Sequence, residues 1–329
     1  MKVVGVNGFG RIGRCFTRLA LMEPTIDVAL VNDVADITTL AHLLKYDSVH
    51  GGLNLSFVIE GNSLLFSNGK KISFVNEKNP EDINWSAHNV NYVLESTGHF
   101  LSKKDATKHL KSGVKKVILS APPSDNEIKS IVLGVNEDQL SAEDLIISNA
   151  SCTTNNVAPM IKVLMELFPI DVAYISTIHS YTSDQRLHDS PHKDLRRARA
   201  AAMSIIPTST GAAKAITQIF PELNGKITGS SVRVPVCDGS MTELTLVTSK
   251  KVTVEEINDA MKKACEGELN GIMTYTEDPI VSVDVLGNPT SCVFDSGLTV
   301  VFNNMVKVVG WYDNEMGYSS RLIDLIKIV

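Results

Sequence analysis

The chain has 329 residues, room for two domains of ordinary size, and its 43% hydrophobic and 21% charged residues are the balance of a globular protein. A net charge of -6 excludes a broadly basic surface, so neither nucleic acid nor an anionic membrane is expected as the main partner, and any anion site has to be local. No apolar run reaches the length of a bilayer span, and the opening Met1-Lys2-Val3-Val4-Gly5 reads as a strand and not as a signal peptide, so a cytoplasmic protein is expected.

Strand-like and helix-like segments alternate from the first residue, the pattern of a parallel sheet with crossover helices. Residues 3–7 form a short apolar run, followed by Gly8-Phe9-Gly10-Arg11-Ile12-Gly13 and a helical stretch to residue 22. A GxGxxG placed directly between a strand and a helix suits a dinucleotide. Gly8 permits the tight turn, Gly10 lets the backbone approach a pyrophosphate at the helix N-terminus, and Gly13 lets the helix lie close to the sheet. The next strand, residues 28–32, runs into Asp33, which lies 20 residues beyond Gly13. A carboxylate there hydrogen-bonds the ribose hydroxyls of NAD and repels the 2′-phosphate of NADP. A helix is expected over residues 37–45. A hairpin insertion is expected over 55–75, where Gly61-Asn62 and Asn68-Gly69 mark turns, and buried strands over 92–94, 116–119 and 145–147.

Ser151-Cys152-Thr153-Thr154-Asn155 stands where the last of these strands gives way to a helix expected over 155–167. A thiol at a helix N-terminus feels the partial positive charge of the unpaired amides, which favours thiolate, and the same amides can hold an oxyanion. Position alone divides Cys152 evenly between a nucleophile and a buried structural cysteine. His179 decides it: it ends a strand expected over 172–178, 27 residues after Cys152, enough for one helix out and one strand back to the same sheet edge. A histidine beside a cysteine can take its proton and return one to a substrate oxygen. The five cysteines, Cys15, Cys152, Cys237, Cys265 and Cys292, are odd in number and scattered, which suits a reducing compartment. No cysteine or histidine cluster has zinc spacing, and Pro191 between His188 and His192 spoils a helical ligand pair, so no metal is expected.

Residues 181–207 are of irregular composition and carry Arg186, Arg196, Arg197 and Arg199. Thr210-Gly211 opens a helix over 212–219, another amide-rich anion site. Arg233 lies inside an apolar strand, residues 232–236, where a cation needs a partner anion. One or two phosphate-sized anions follow, and spacing does not say which arginines serve them. Further strands are expected over 244–248, 281–285 and 298–309, and a helix over 314–329. The whole reads as an α/β Rossmann domain with a mostly parallel, doubly wound sheet, joined to an α+β catalytic domain with a large, mainly antiparallel sheet. The first spans residues 1–151, completed by the helix 314–329, and the second spans 152–313.

The chain resembles the glyceraldehyde-3-phosphate dehydrogenase family along its whole length. The resemblance rests on Val6-Asn7-Gly8-Phe9-Gly10-Arg11-Ile12-Gly13, Ala150-Ser151-Cys152-Thr153-Thr154-Asn155, Pro207-Thr208-Ser209-Thr210-Gly211-Ala212-Ala213-Lys214 and Trp311-Tyr312-Asp313-Asn314-Glu315. It implies that Cys152 attacks an aldehyde, that His179 accepts the hydroxyl proton as hydride leaves for NAD, and that inorganic phosphate releases the thioester as an acyl phosphate. It implies Thr182 and Arg233 for the phosphate of glyceraldehyde 3-phosphate, and Ser151, Thr153, Thr210, Gly211 and Arg197 for inorganic phosphate. Phe9, Arg11, Ile12, Asp33, Thr97, Ser120 and Tyr318 are implied as cofactor contacts, and Asn314 as the residue that orients the nicotinamide carboxamide. A homotetramer is implied, with segment 181–207 packed against a neighbouring subunit. Two departures stand out: Asn156 where many members carry a second cysteine, and Val236-Cys237-Asp238-Gly239-Ser240 in place of a more usual Thr-x-Asn-Val-Ser. Rival readings are an erythrose-4-phosphate dehydrogenase that hydrolyses its thioester, an NADP-preferring gluconeogenic member, and a non-catalytic binding protein on an inherited scaffold. The intact Ser209-Thr210-Gly211 run and the presence of both Cys152 and His179 speak against the first and the last.

Overall fold

The run Lys2–Asn7 forms β1, buried over its last four residues, and its Gly5 allows the Trp85 ring to pack against the strand: a Cβ at Gly5 would lie 2.3 Å from that ring. The structure, a computed structural model, describes Met1–Val329. Its chain divides into two units, Met1–Ile131 with Asp138–Ala150 and Ser319–Val329, and Val132–Glu137 with Ser151–Tyr318.

In the first unit β1 is followed by α1 (Arg11–Met22), β2 (Ile26–Asn32), α2 (Ile37–Lys45) and a two-residue ribbon of β3 (Tyr46–Asp47) and β4 (Gly51–Gly52). Then come β5 (Phe57–Glu60), β6 (Ser63–Phe66), β7 (Lys71–Val75), β8 (Tyr92–Glu95), the single turn α3 (Lys103–Ala106), β9 (Lys116–Leu119), β10 (Lys129–Ser130) and β11 (Ile146–Ser148). Nine strands make one sheet in the order β10-β11-β9-β8-β1-β2-β7-β6-β5, parallel from β10 through β7 and antiparallel over β7, β6 and β5. The region expected as a hairpin insertion is thus the end of the main sheet, with turns at Gly61 and Gly69, both at positive φ. A core of Leu30, Trp85, Val93, Val117 and Leu119 packs under the central strands.

In the second unit α4 (Cys152–Leu167) precedes β12 (Val172–Ser180), β13 (Ile206–Thr208), α5 (Ala212–Ile219), β14 (Ile227–Val234) and β15 (Ser240–Val247). It continues with α6 (Val254–Glu266), β16 (Met273–Thr276), β17 (Cys292–Asp295), β18 (Val300–Phe302) and β19 (Met305–Tyr312). The sheet order is β13-β14-β12-β15-β19-β17-β16, with β18 on β19. Its neighbours are antiparallel except β12 with β14 and β16 with β17.

Three local expectations fail. Residues 281–285 are not a strand but carry the 3-10 turn Ser282–Val285, because the Asp284 carboxylate accepts the Val281 N–H (2.8 Å) and closes the turn. Residues 298–309 are not one strand: Asn303, at φ 56°, bends them into the β18–β19 hairpin. Helix α6 falls between the strands expected over 244–248 and 281–285, where no helix is expected, although Thr253 and Glu256 form a complete capping box at its start. The last helix, α7 (Met316–Ile328), begins after residue 314 because the Asp313 carboxylate accepts the N–H groups of Glu315 (2.8 Å) and Met316 (2.6 Å). Its end is tied back to β1 and α1 by the Lys2 ammonium on the Val329 carbonyl and by Lys327 on Glu23 at 2.6 Å.

Candidate active site

At the carboxyl ends of β1, β2 and β8 the first unit has a cleft of about 450 Å³ lined by Gly8, Gly10, Asn32, Asp33 and Thr97 among others. Gly8 turns the chain at φ 93°, where a Cβ would sit 2.7 Å from the Thr97 nitrogen, and a Cβ on Gly13 would sit 2.2 Å from the Gly8 carbonyl oxygen. What Gly13 permits is therefore closure of the loop on itself. Gly10 meets nothing within 4 Å, so its face is open to the cleft. The Asp33 carboxylate accepts the N–H groups of Phe9 (2.7 Å) and Ala35 (3.0 Å), which pins the end of β2 to the glycine loop and leaves lone pairs for a ribose hydroxyl. An open glycine backbone at a helix start beside an anchored carboxylate fits a dinucleotide.

Other residues expected at the cofactor lie on several elements. Arg11 bonds Asp47 at 2.6 Å, and Ile12 is half-buried on α1. Thr97 donates to Glu95 through its N–H (2.8 Å) and hydroxyl (2.5 Å). Ser120 follows β9, with its N–H on the Glu95 carbonyl (2.9 Å), and Tyr318 is buried within α7. Sequence reasoning missed Asn7 and Glu95, whose side chains bond at 2.6 Å beneath the cleft. The only signal for them was a polar residue at the end of an otherwise apolar strand.

In the second unit Ser151 caps α4, its hydroxyl accepting the Thr154 N–H at 3.1 Å, so the helix begins at Cys152 and not at Asn155. The preceding Ala150 is held at φ 53°, a strained conformation that presents the next residues sharply at the helix start. Strand β12 brings His179 back, and Cys152 Sγ lies 3.4 Å from His179 Nε2. His179 Nδ1 lies 2.8 Å from the Ser180 carbonyl, and in the tautomer that carries its proton on Nδ1 the ring donates there and turns the Nε2 lone pair toward the sulfur. Parallel pairing of β12 with β14 sets Arg233 directly across from His179. Its Nη1 reaches the Ser180 carbonyl at 3.0 Å and lies 2.5 Å from Nδ1, no carboxylate is among its hydrogen-bond partners, and its buried Nε has none. The guanidinium thus keeps the unmet demand for an anion that its place in an apolar strand implied.

Burial pushes the half-buried Cys152 thiol up to about 11, opposed by the Arg233 charge. Burial, then Arg233, pushes His179 down to about 3. Desolvation thus opposes the thiolate that the helix N-terminus favours, and it favours a neutral imidazole, the form that can accept the thiol proton. Tyr312, part of the block that carries the family resemblance but given no role there, braces the pair: its hydroxyl lies 2.9 Å from Thr153 Oγ1 and its ring meets His179 edge-on at 6.0 Å.

The remaining anion-site candidates are less uniform. Thr210 accepts the Ala212 N–H at 3.1 Å, and Gly211 is the N-cap of α5. Thr182 sits in a turn closed by Gln185. Arg197 is already engaged, with Asp184 on Nη1, Thr208 Oγ1 on Nε (2.9 Å) and Asp194 at 3.5 Å. Asn314 follows β19, and its Oδ1 accepts from Ser180 and Ser240.

A glycine-loop cleft at the carboxyl edge of a parallel sheet defines the class, a dinucleotide-binding protein. The comparisons are narrower: residues 2–103 match the NAD binding domain of glyceraldehyde 3-phosphate dehydrogenase and residues 151–314 match its C-terminal domain. The chain is 55% identical to glyceraldehyde-3-phosphate dehydrogenase 2 of Streptomyces avermitilis, over 99% of this chain and 98% of that one. It is 54% identical to glyceraldehyde-3-phosphate dehydrogenase of Geobacillus stearothermophilus (98% and 96%) and 51% identical to that of Mycobacterium avium (99% and 98%). The chain belongs to the glyceraldehyde-3-phosphate dehydrogenase family. No helix is long and apolar enough to cross a membrane.

Proposed function

We propose that the protein oxidises and phosphorylates D-glyceraldehyde 3-phosphate to 1,3-bisphosphoglycerate, reversibly, with NAD. The observation that carries this is the Cys152 Sγ to His179 Nε2 approach of 3.4 Å, with Arg233 opposite His179 on the adjoining strand. His179 takes the thiol proton as sulfur bonds to the aldehyde carbon and returns it to the carbonyl oxygen, giving a thiohemiacetal. It then takes the hydroxyl proton as the carbon gives up hydride. NAD, when bound, accepts that hydride. Phosphate attacks the thioester carbon, the carbon–sulfur bond breaks, and the sulfur regains its proton as the acyl phosphate leaves.

Arg233 and Thr182 hold the substrate phosphate. Ser151, Thr153, Thr210 and Gly211 hold inorganic phosphate, joined by the remaining N–H groups of Arg197. Gly8 through Gly13, Asp33, Thr97, Ser120 and Tyr318 hold the cofactor, whose nicotinamide Asn314 orients. Asp33 favours NAD over NADP, since its carboxylate would face a 2′-phosphate. Residues 1–151 with 314–329 serve the cofactor, and 152–313 the chemistry. Exposed Leu187, Leu195, Met203 and Ile205 in segment 181–207 support burial against a second subunit and hence a homotetramer. Five free cysteines suit the cytoplasm.

The test follows NADH formation from glyceraldehyde 3-phosphate with and without phosphate or arsenate, with erythrose 4-phosphate and NADP alongside and Cys152→Ser as the blank. Oxyanion-dependent turnover that prefers NAD and vanishes in the variant is expected. Sustained turnover on erythrose 4-phosphate without phosphate would instead identify a hydrolysing enzyme.

A further inference from the structure

Ser180 and Ser240 belong to no assigned function, yet both hydroxyls converge on one atom. Ser180 Oγ donates to Asn314 Oδ1 at 2.8 Å and Ser240 Oγ donates to the same oxygen at 2.7 Å. All three side chains are buried. Ser240 Oγ also accepts the Ser180 N–H at 3.1 Å, which frees its own hydrogen to donate. The amide oxygen, and not the nitrogen, faces the serines, as suits a Ser240 Oγ that already accepts an N–H and has its own hydrogen left to donate. Both lone pairs of Oδ1 are then occupied, and the two Nδ2 hydrogens have no partner within the protein. The backbone under Asn314 is equally restrained, because the Asp313 carboxylate accepts from Gly287, Glu315 and Met316. Ser180 is also the residue whose carbonyl orients the His179 imidazole, so one residue sets both the base and the amide.

We propose that Ser180 and Ser240 are positioning residues for the nicotinamide ring, locking the Asn314 amide with its nitrogen outward as a fixed donor to the ring's carboxamide oxygen and so selecting the ring face that receives hydride. The inference rests on the reading of Asn314 as the nicotinamide contact. Without the serines the amide is free to rotate, the carboxamide oxygen loses its fixed donor, and a ring turned by half a turn about its glycosidic bond, whose carboxamide this donor does not reach, competes with the ordered one. Loss of the lock therefore costs both affinity for the ring and fidelity of face.

The experiment measures binding of NAD and of ADP-ribose, which lacks the ring, to the full-length protein and to Ser180→Ala, Ser240→Ala and Asn314→Ala. In parallel, glyceraldehyde 3-phosphate deuterated at its aldehyde carbon reports which face of NADH receives the label. Ser180→Ala is the cleaner variant, because Ser240→Ala also strands the Ser180 N–H. The serine variants are expected to lose roughly tenfold in NAD affinity, approaching Asn314→Ala, to keep their ADP-ribose affinity, and to place label on both faces. Unchanged NAD binding and single-face labelling in both serine variants, with Asn314→Ala impaired, would overturn the positioning role. A parallel fall in ADP-ribose affinity would overturn it too, by showing a general loss of structure. An Asn314→Ala variant that binds NAD like the parent would remove the underlying reading and the inference with it.

Discussion

Gly10→Ala and Gly13→Ala separate what the glycine loop does for the cofactor from what it does for the fold. Gly10 has φ -71° and ψ -162°, a conformation open to alanine, and its Cβ would meet nothing within 4 Å. Apo stability is therefore expected to hold or to rise by about 0.4–1 kcal/mol, because alanine restricts the unfolded chain. The new methyl stands on the open face of the cleft, and crowding of a backbone-to-pyrophosphate approach at a cost of about 1–3 kcal/mol weakens NAD binding by roughly tenfold or more. At Gly13 the Cβ would lie 2.2 Å from the Gly8 carbonyl oxygen, a backbone atom that cannot swing away. Overpacking of that kind costs about 1–3 kcal/mol or more, offset by about 1 kcal/mol from the better helix propensity of alanine. Calorimetric melting of the apo protein should rank Gly13→Ala lowest, with Gly10→Ala at or above the parent, and titration with NAD should show both variants weakened. The reasoning is refuted if Gly10→Ala binds NAD as the parent does, or if Gly13→Ala melts no lower than the parent.

Two further predictions concern the second unit. Arg233→Met should raise KM for glyceraldehyde 3-phosphate at least tenfold, yet leave kcat/KM for unphosphorylated glyceraldehyde within a few-fold of the parent; equal losses on both substrates would mean that the guanidinium serves the base and not the phosphate. His179→Asn should slow hydride transfer in a single turnover by about 10²–10⁴-fold. It should also change the pH dependence of stability: a native pKa lowered from 6.5 to about 3 means that the unfolded chain binds a proton the folded protein refuses. Parent stability therefore falls as pH drops from 6.5 toward 3, and the urea midpoint of the variant should fall less steeply over that window. Parallel slopes would disprove a depressed imidazole.

Much of the site is readable from contiguous residues. The glycine loop depends on a turn, a helix start and a strand end within a few residues of one another, and its conformation follows from the absence of Cβ atoms at Gly8 and Gly13. Cys152 opens its helix because Ser151 caps it, again a relation between neighbours. Where local chemistry was misjudged the signal was still local: the Thr253 capping box announces α6, and Asp284 closing on Val281 turns an apolar run into a single helical turn with Val281 and Val283 exposed at 56% and 63%.

Other features belong to tertiary structure alone. Arg233 faces His179 because β14 pairs with β12 in one register, and a shift of one residue would carry its side chain to the other face of the sheet. Arg197 is neutralised by Asp184 and Asp194 in the fold, which its cluster of arginines did not announce. The tilt of the Cys152–His179 pair toward its neutral form comes from the protein mass around it, a desolvation that no spacing of residues expresses. The orientation of Asn314 waits on serines 134 and 74 residues away. Short-range hydrogen bonds and missing Cβ atoms act between neighbours and so are written in the order of residues. Register, desolvation and long-range partners come into being only when distant segments pack together.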